Sequence, residues 1–302
     1  MKKFLYSIVF IVIGVYAVDR VGGLVMWQVN QHTHDISGPK IKYLVNNVHE
    51  DVVLMGASRC NLHYVPSVIG DSIGMSVYNA GVDASDNIFA HYMVLNYILA
   101  HHRPKVICLE IMTNDYAVQD NSFNTVSLFA PYFGRNERAD SVFREAGTYH
   151  LYQLSHLYRY NAKAISNIAG LLVNRQEGED HGYIPSPCPR SFLTNPEPMH
   201  TPQQIDSLKL RYLQKFIDRC HSHDIRLVFV VSPAFRVADK DVYDVAKDVA
   251  AQNGIPFLDY HTAGLYLDRP ELFKDDLHLW HQGACLYSSR FAHDLKAVLF
   301  YR

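Results

Sequence analysis

The sequence predicts a three-layer α/β/α sandwich built on a flavodoxin-like parallel sheet of about five strands, with an apolar N-terminal helix before it and a helical insertion within it. Three observations predict this. Short apolar runs recur along residues 51–302, and they are near-continuous rather than alternating, as in strands buried on both faces. Stretches with helical spacing of apolar residues lie between them. Several of the runs end in small or polar residues, at the edge where open α/β sheets place their ligands.

The elements follow in order. Val52-Val-Leu-Met55 is the first strand and runs straight into Gly56-Ala57-Ser58-Arg59. Residues 75–78 form a short second strand ending in Asn79-Ala80-Gly81. Residues 88–100 are helical and stop at His101-His102-Arg103-Pro104, where basic side chains meet the helix C-terminus and proline forbids continuation; the histidines read as a helix end. Residues 105–111 are a third strand, leading into Met112-Thr113-Asn114-Asp115. Residues 117–200 then break the alternation: they are rich in Tyr and Phe, hold a helical stretch over about 151–173, and end in a Pro-rich loop at 185–198. This stretch is the predicted insertion. Thr201 is the expected N-cap of the next helix, with Pro202 at its first position and Ile205, Leu208, Leu213, Phe216, Ile217 and Cys220 as its apolar face. Residues 226–231 and 255–258 are the fourth and fifth strands, separated by a helix from about Asp241 that closes at Asn253-Gly254. The last helix is expected over about 283–299.

The N-terminus carries its own signal. Lys2-Lys3 precede an uncharged stretch, residues 4–18, followed by Asp19-Arg20 and a second apolar run ending at Trp27. Residues 4–18 alone make a helix of about 22 Å, short of a hydrocarbon core of about 30 Å, so a span must continue through Asp19-Arg20 to Trp27. The two charges then snorkel or pair. The expected organisation is an N-terminal signal-anchor or transmembrane helix over 1–27, a polar connector over 28–50 and the sandwich over 51–302. The body is then membrane-tethered on the exported side, with Lys2-Lys3 inside. Val15-Tyr16-Ala17 supplies the competing pattern, a cleavage site that makes the product secreted.

With 302 residues, 48% hydrophobic and 19% charged, the chain has ample material for a large core. A formal net charge of −2 with scattered Lys and Arg argues against a nucleic-acid partner. Cys60, Cys108, Cys188, Cys220 and Cys285 form no C-x-x-C pair, which argues against a zinc site or a dense disulfide framework and leaves one isolated bridge open.

Four fragments at predicted strand ends carry the chemistry. Ser58 follows strand one, Gly81 strand two and Asn114 strand three, while Asp275-Asp-Leu-His278 precedes the last helix. A serine hydroxyl needs an imidazole to take its proton, and that imidazole needs a partner on its other nitrogen; His278 and Asp275 fit those parts. Attack on an acyl carbon creates an oxyanion, for which the Ser58 N–H, the Gly81 N–H and the Asn114 amide are candidate donors.

With these blocks in this order, the chain over about 51–302 resembles the SGNH hydrolases, also called GDSL-type esterases and lipases. The resemblance implies Ser58 as nucleophile, Asp275 and His278 as acid and base, and Ser58, Gly81 and Asn114 as the oxyanion hole, with no cofactor and no metal. His278-Leu-Trp-His-Gln-Gly283 is similar to the family's run into its last helix. Two positions depart from the pattern: Ala57 stands where the family often has Asp, and Met112 where Gly commonly opens the Asn block. The Gly-x-Ser-Arg form with an N-terminal anchor resembles the membrane-tethered bacterial branch, which includes proteins of surface-polymer acylation and deacylation. The implied activity is cleavage of an acyl ester on an acylated, preferably acetylated, cell-surface glycan or other small ester. Acyl transfer alongside a membrane-bound acyltransferase partner, and an inactive glycan-binding or assembly role, are the alternatives.

Other polar groups have plainer readings. Glu110, inside an apolar strand, is expected to be hydrogen-bonded, with Arg59 as a candidate partner. Asp276 and His281 flank the dyad, with too few neighbours in sequence for a metal cluster around His278. Cys60 reads as a small buried residue. Tyr132, Tyr149 and Tyr152 fit either a sugar-binding cleft or packing within the insertion.

Overall fold

The computed structural model describes the whole chain except residues 36, 84–86, 173–179, 190–193, 203 and 301–302. Two compact units emerge, Leu44–Thr125 with Gln176–Arg302, and Met1–Tyr43 with Val126–Arg175.

The first is an α/β unit. Its strands are β1 (Val52–Met55), β2 (Val77–Asn79), β3 (Val106–Glu110), β4 (Glu197–Met199), β5 (Arg226–Val231), β6 (Arg236–Ala238) and β7 (Phe257–Asp259). Five of them form one parallel sheet in the order β2-β1-β3-β5-β7, while β4 and β6 pair as a separate parallel ribbon. Counting the five alone, this is the flavodoxin-like order. Successive side chains of a strand point to opposite faces, and every residue of β1, β2 and β3 is buried, so the sheet is covered on both sides. Val52, Leu54, Val106, Cys108 and Val228 pack with residues of helices Pro66–Ile73 and His281–Phe300 in one core cluster. Helices Ile88–Ile98 and Ser207–His221 pack on one another through Phe89, Tyr92 and Tyr212.

The predicted sandwich is therefore present, with local differences. The helix after the insertion starts at Ser207, not near Thr201: Asp206 accepts from the N–H groups of Leu208 and Lys209 and is the cap, whereas Thr201 bonds Asp239 and Asp241. Two short helices, Ser58–His63 and Pro66–Ile73, fill the span between β1 and β2. All five cysteines are free thiols.

The second unit is helical. Its first helix runs from Lys2 to His32, beyond Trp27, and is long and apolar enough to cross a membrane by length and composition. Residues 38–46, expected as irregular connector, are helical. The helical stretch predicted over 151–173 is broken into Tyr149–Leu154, a 3₁₀ turn at Tyr158–Tyr160, and Ala164–Gly170, while Val173 lies outside the described residues. Asp19 and Arg20, the charges inside the apolar run, are paired. The Asp19 carboxylate accepts from the Ser155 hydroxyl and from the N–H groups of His156 (2.9 Å) and Leu157 (3.2 Å), and Arg20 donates to the Leu154 carbonyl at 3.2 Å. Gly23 is what lets this segment approach: a Cβ there would sit 2.5 Å from the His156 Cβ. Tyr132 and Tyr152 are buried, Tyr132 edge-on to Trp27 at 5.7 Å and Tyr152 edge-on to Phe143 at 5.0 Å, and Tyr149 lies against Phe133 at 5.1 Å. Tyr132 and Tyr152 thus pack the unit's interior, while Tyr149 is half-buried.

Candidate active site

The site forms at the C-terminal edge of the sheet, beside the point where the chain order reverses between β1 and β3. Ser58 opens helix Ser58–His63 directly after β1, and its N–H belongs to a first helical turn that has no intrahelical acceptor. Two buried hubs hold that helix. Asn79, at the end of β2, donates its amide to the carbonyls of Cys60 (2.8 Å) and Tyr64 (2.9 Å). Gly81 lies against the same helix so closely that a Cβ would meet the Asn61 backbone nitrogen at 2.3 Å, and no side chain can stand there without moving backbone.

His278 and Asp275 come from the loop before the last helix. The Ser58 hydroxyl lies 2.8 Å from His278 Nε2, and His278 Nδ1 lies 2.8 Å from Asp275 Oδ1. The same Asp275 oxygen accepts from the N–H groups of Leu277 (3.0 Å) and His278 (2.9 Å), so one carboxylate closes the turn and orients the ring. Burial pushes the Asp275 carboxyl up, but its bonds to His278 and the turn amides outweigh that and leave it below its ordinary value. The tautomer follows from the partners: Nδ1 carries the proton toward Asp275, and Nε2 is left to accept one from Ser58.

The candidate oxyanion donors are placed differently from one another. Gly81 N–H donates to Asn79 Oδ1 at 3.0 Å, so it serves an acyl oxygen only by being shared or released. Asn114 is part-buried in the 3₁₀ turn Thr113–Asp115 after β3. That turn is pinned by Lys209, a fully buried lysine whose ammonium donates to the carbonyls of Asn114 and Ala117, both at 2.9 Å. Sequence reasoning missed Lys209; it sits among the polar positions of an amphipathic helix, and nothing local marks it as an inward ammonium.

Behind the triad lies a buried polar network, also missed apart from one pair. Glu110 ends β3 and faces Arg59 Nε at 3.3 Å, the predicted pairing. It also accepts from the Ser232 hydroxyl (2.7 Å), the Ser232 N–H and the Tyr64 hydroxyl. His63 completes the chain: its Nδ1 lies 2.8 Å from Ser232 Oγ, and its Nε2 accepts the N–H of Leu279, the residue after His278, at 3.0 Å. Burial first, then the charges of Arg59 and His278, push His63 well below the usual histidine range, so it is a neutral ring with fixed donor and acceptor ends. The flanking groups are engaged elsewhere. Asp276 pairs with Arg236 (2.7 Å), and His281 contacts the Tyr183 hydroxyl at 3.0 Å. Cys60 is buried beside Asn79.

No family model matches the chain, and no curated protein matches it. Among solved structures, a protein assigned to the G-D-S-L lipolytic family from Desulfitobacterium hafniense is similar over 80% of this chain and 98% of its own, at 12% identity and a TM-score of 0.41. A protein assigned as an acylhydrolase from Bacteroides fragilis is similar over 84% of this chain and 94% of its own, at 12% identity and a TM-score of 0.40.

Proposed function

We propose that the protein is a serine-dependent acyl-ester hydrolase, tethered to a membrane by its first helix on the exported side and acting on an acylated, preferably acetylated, cell-surface glycan. The observation that carries the reading is the pair of 2.8 Å contacts joining Ser58 to His278 and His278 to Asp275, three residues brought together from 220 positions apart in the chain. Ser58 Oγ attacks the acyl carbon as its proton passes to His278 Nε2; Asp275 holds the Nδ1–H and stabilises the imidazolium. The developing oxyanion falls to the Ser58 N–H, the Asn114 amide and the Gly81 N–H. His278 then returns the proton to the departing alkoxide, and water, activated by the same ring, releases the acid.

Replacing Ser58 by Ala tests this. Hydrolysis of a short-chain aryl ester and release of acetate from an acetylated polysaccharide by the full chain are expected to vanish. Unchanged hydrolysis would remove the serine from the chemistry and favour a binding or assembly role. Acyl transfer beside a membrane-bound acyltransferase is the second reading, favoured by the tethering helix; supplying a sugar hydroxyl in competition with water decides it by the product formed.

A further inference from the structure

Ser58 opens its helix and His63 closes it, and both reach the loop that carries His278. The Ser58 hydroxyl bonds the His278 ring, while the His63 ring accepts the N–H of Leu279, the next residue, at 3.0 Å. One short helix thus holds the nucleophile and also grips the backbone behind the base. Other ties of that loop run elsewhere. The Asp276 carbonyl accepts the Phe235 N–H at 2.9 Å and the Asp276 carboxylate takes Arg236, both just beyond β5, while the Lys274 N–H bonds the His278 carbonyl within the loop itself.

The grip has a direction, fixed by its neighbours. The Glu110 carboxylate only accepts, so the Ser232 hydroxyl, 2.7 Å from Oε1, points its one hydrogen there. Its lone pairs are left for donors, which are Arg59 Nε at 3.3 Å and His63 Nδ1 at 2.8 Å. His63 must then carry its proton on Nδ1, leaving Nε2 bare toward the Leu279 N–H. The Leu277 carbonyl also faces this ring, but serving it would need a proton on Nε2, set against the Leu279 N–H. A chain of donors therefore runs from Leu279 through His63 and Ser232 to a buried carboxylate, each bond polarising the next.

We infer that His63 is a positioning residue for the proposed hydrolysis: by holding Leu279 to the helix that carries Ser58, it sets the separation between His278 and the nucleophile. The His63 ring is fully buried and edge-on to the His278 ring with centroids 6.2 Å apart, so it acts through the loop and not on the ester. The inference rests on the esterase reading above and adds to it the element that keeps the dyad at bonding distance.

Two variants of the full chain separate the two ends of the ring. His63→Gln carries an amide oxygen at the reach of Nε2 and retains an acceptor for Leu279. His63→Asn carries an amide nitrogen at the reach of Nδ1, retains the donor for Ser232 and leaves the Leu279 N–H without its acceptor. His63→Asn is expected to lower kcat on an aryl ester about a hundredfold with KM little changed, the effect of displacing a reacting group by about 1 Å, and His63→Gln to recover at least about tenfold of that loss. Amide hydrogen exchange over residues 277–281 reads the same bond without any chemistry, and is expected to be faster in His63→Asn than in His63→Gln. Equal kcat in the two variants, or a loss confined to KM, overturns the assignment. A wild-type chain without esterase activity, with exchange still ordered as expected, overturns the hydrolysis and any part of His63 in it while the grip itself stands. If urea denaturation shows that neither variant folds, the tautomer decides, read on the wild-type chain by ¹⁵N NMR of the His63 ring, assigned by its contact with Tyr287. A proton on Nδ1 is expected, and a proton on Nε2 overturns the inference.

Discussion

Replacing Glu110 by Gln should destabilise the α/β unit by about 3–5 kcal/mol, the cost of removing one partner from a buried ion pair. Glutamine has nearly the same volume, so no cavity forms. What changes is charge and hydrogen-bond polarity. Arg59 is 1% exposed and has the Glu110 carboxylate 3.3 Å from its Nε; without that charge its guanidinium is left in the interior with neutral partners, the Ser232 carbonyl and hydroxyl and Tyr243. The new amide also turns a donor toward groups that are themselves donors, the Tyr64 hydroxyl and the Ser232 N–H and hydroxyl. Arg59→Met alone should cost a similar amount by stranding the carboxylate. Combined with Glu110→Gln it should cost much less than the sum, because apolar replacement of a whole buried pair is close to neutral. The assay is equilibrium urea denaturation of the solubilised full chain, followed by Trp280 fluorescence in a Trp27→Phe background. A Glu110→Gln cost below about 1 kcal/mol, or additive single and double variants, would refute the argument that this charge pair is coupled and dry.

Other outcomes follow from the same geometry. Asp275→Asn should lower esterase turnover about ten-thousandfold while leaving the fold intact, because the amide favours the wrong tautomer of His278; a pH–rate profile and circular dichroism check this. Lys209→Met should weaken ester hydrolysis through kcat more than KM, by releasing the Asn114 turn that the ammonium pins, and steady-state kinetics on an aryl ester read it. Stability should fall as pH drops from about 6 to 5. Burial holds His63 well below 6.5, His261 at about 4 and His91 at about 3, the last even with Asp115 Oδ1 3.4 Å away, so the unfolded chain takes up those protons first. Asp140, raised to about 6 by burial, opposes them with one proton, and the net slope is roughly 2–3 kcal/mol per pH unit, which urea titrations at stepped pH measure.

Much of this arrangement was legible in the chain. Buried parallel strands announce themselves as unbroken apolar runs, and the small or polar residues that end them mark the ligand edge, so Ser58, Asn114 and the Asp275 to His278 turn could be located before any fold was in hand. The helix Ser58–His63 was not legible, because its inward residues include Arg59, Asn61 and His63, polar groups that erase the apolar period and find their partners only in three dimensions. Thr201-Pro202 imitates a helix start, yet Asp206 takes the cap because its carboxylate reaches two orphan amides. His63 and Lys209 escaped for one reason: each acts on a segment more than ninety residues away, through a backbone group that sequence does not distinguish from any other.

The Asp275 carboxylate uses a single oxygen for the His278 ring and for both amides of its own turn. Base and orienter are therefore one rigid body, and a motion of the loop cannot separate them without unmaking the turn. That body is tied in turn to the helix carrying Ser58 by the bond from the Leu279 N–H to His63, so a change in the Ser58 to His278 distance must also strain that bond. A cross-link or a spectroscopic ruler spanning residues 58 and 278 would follow that distance.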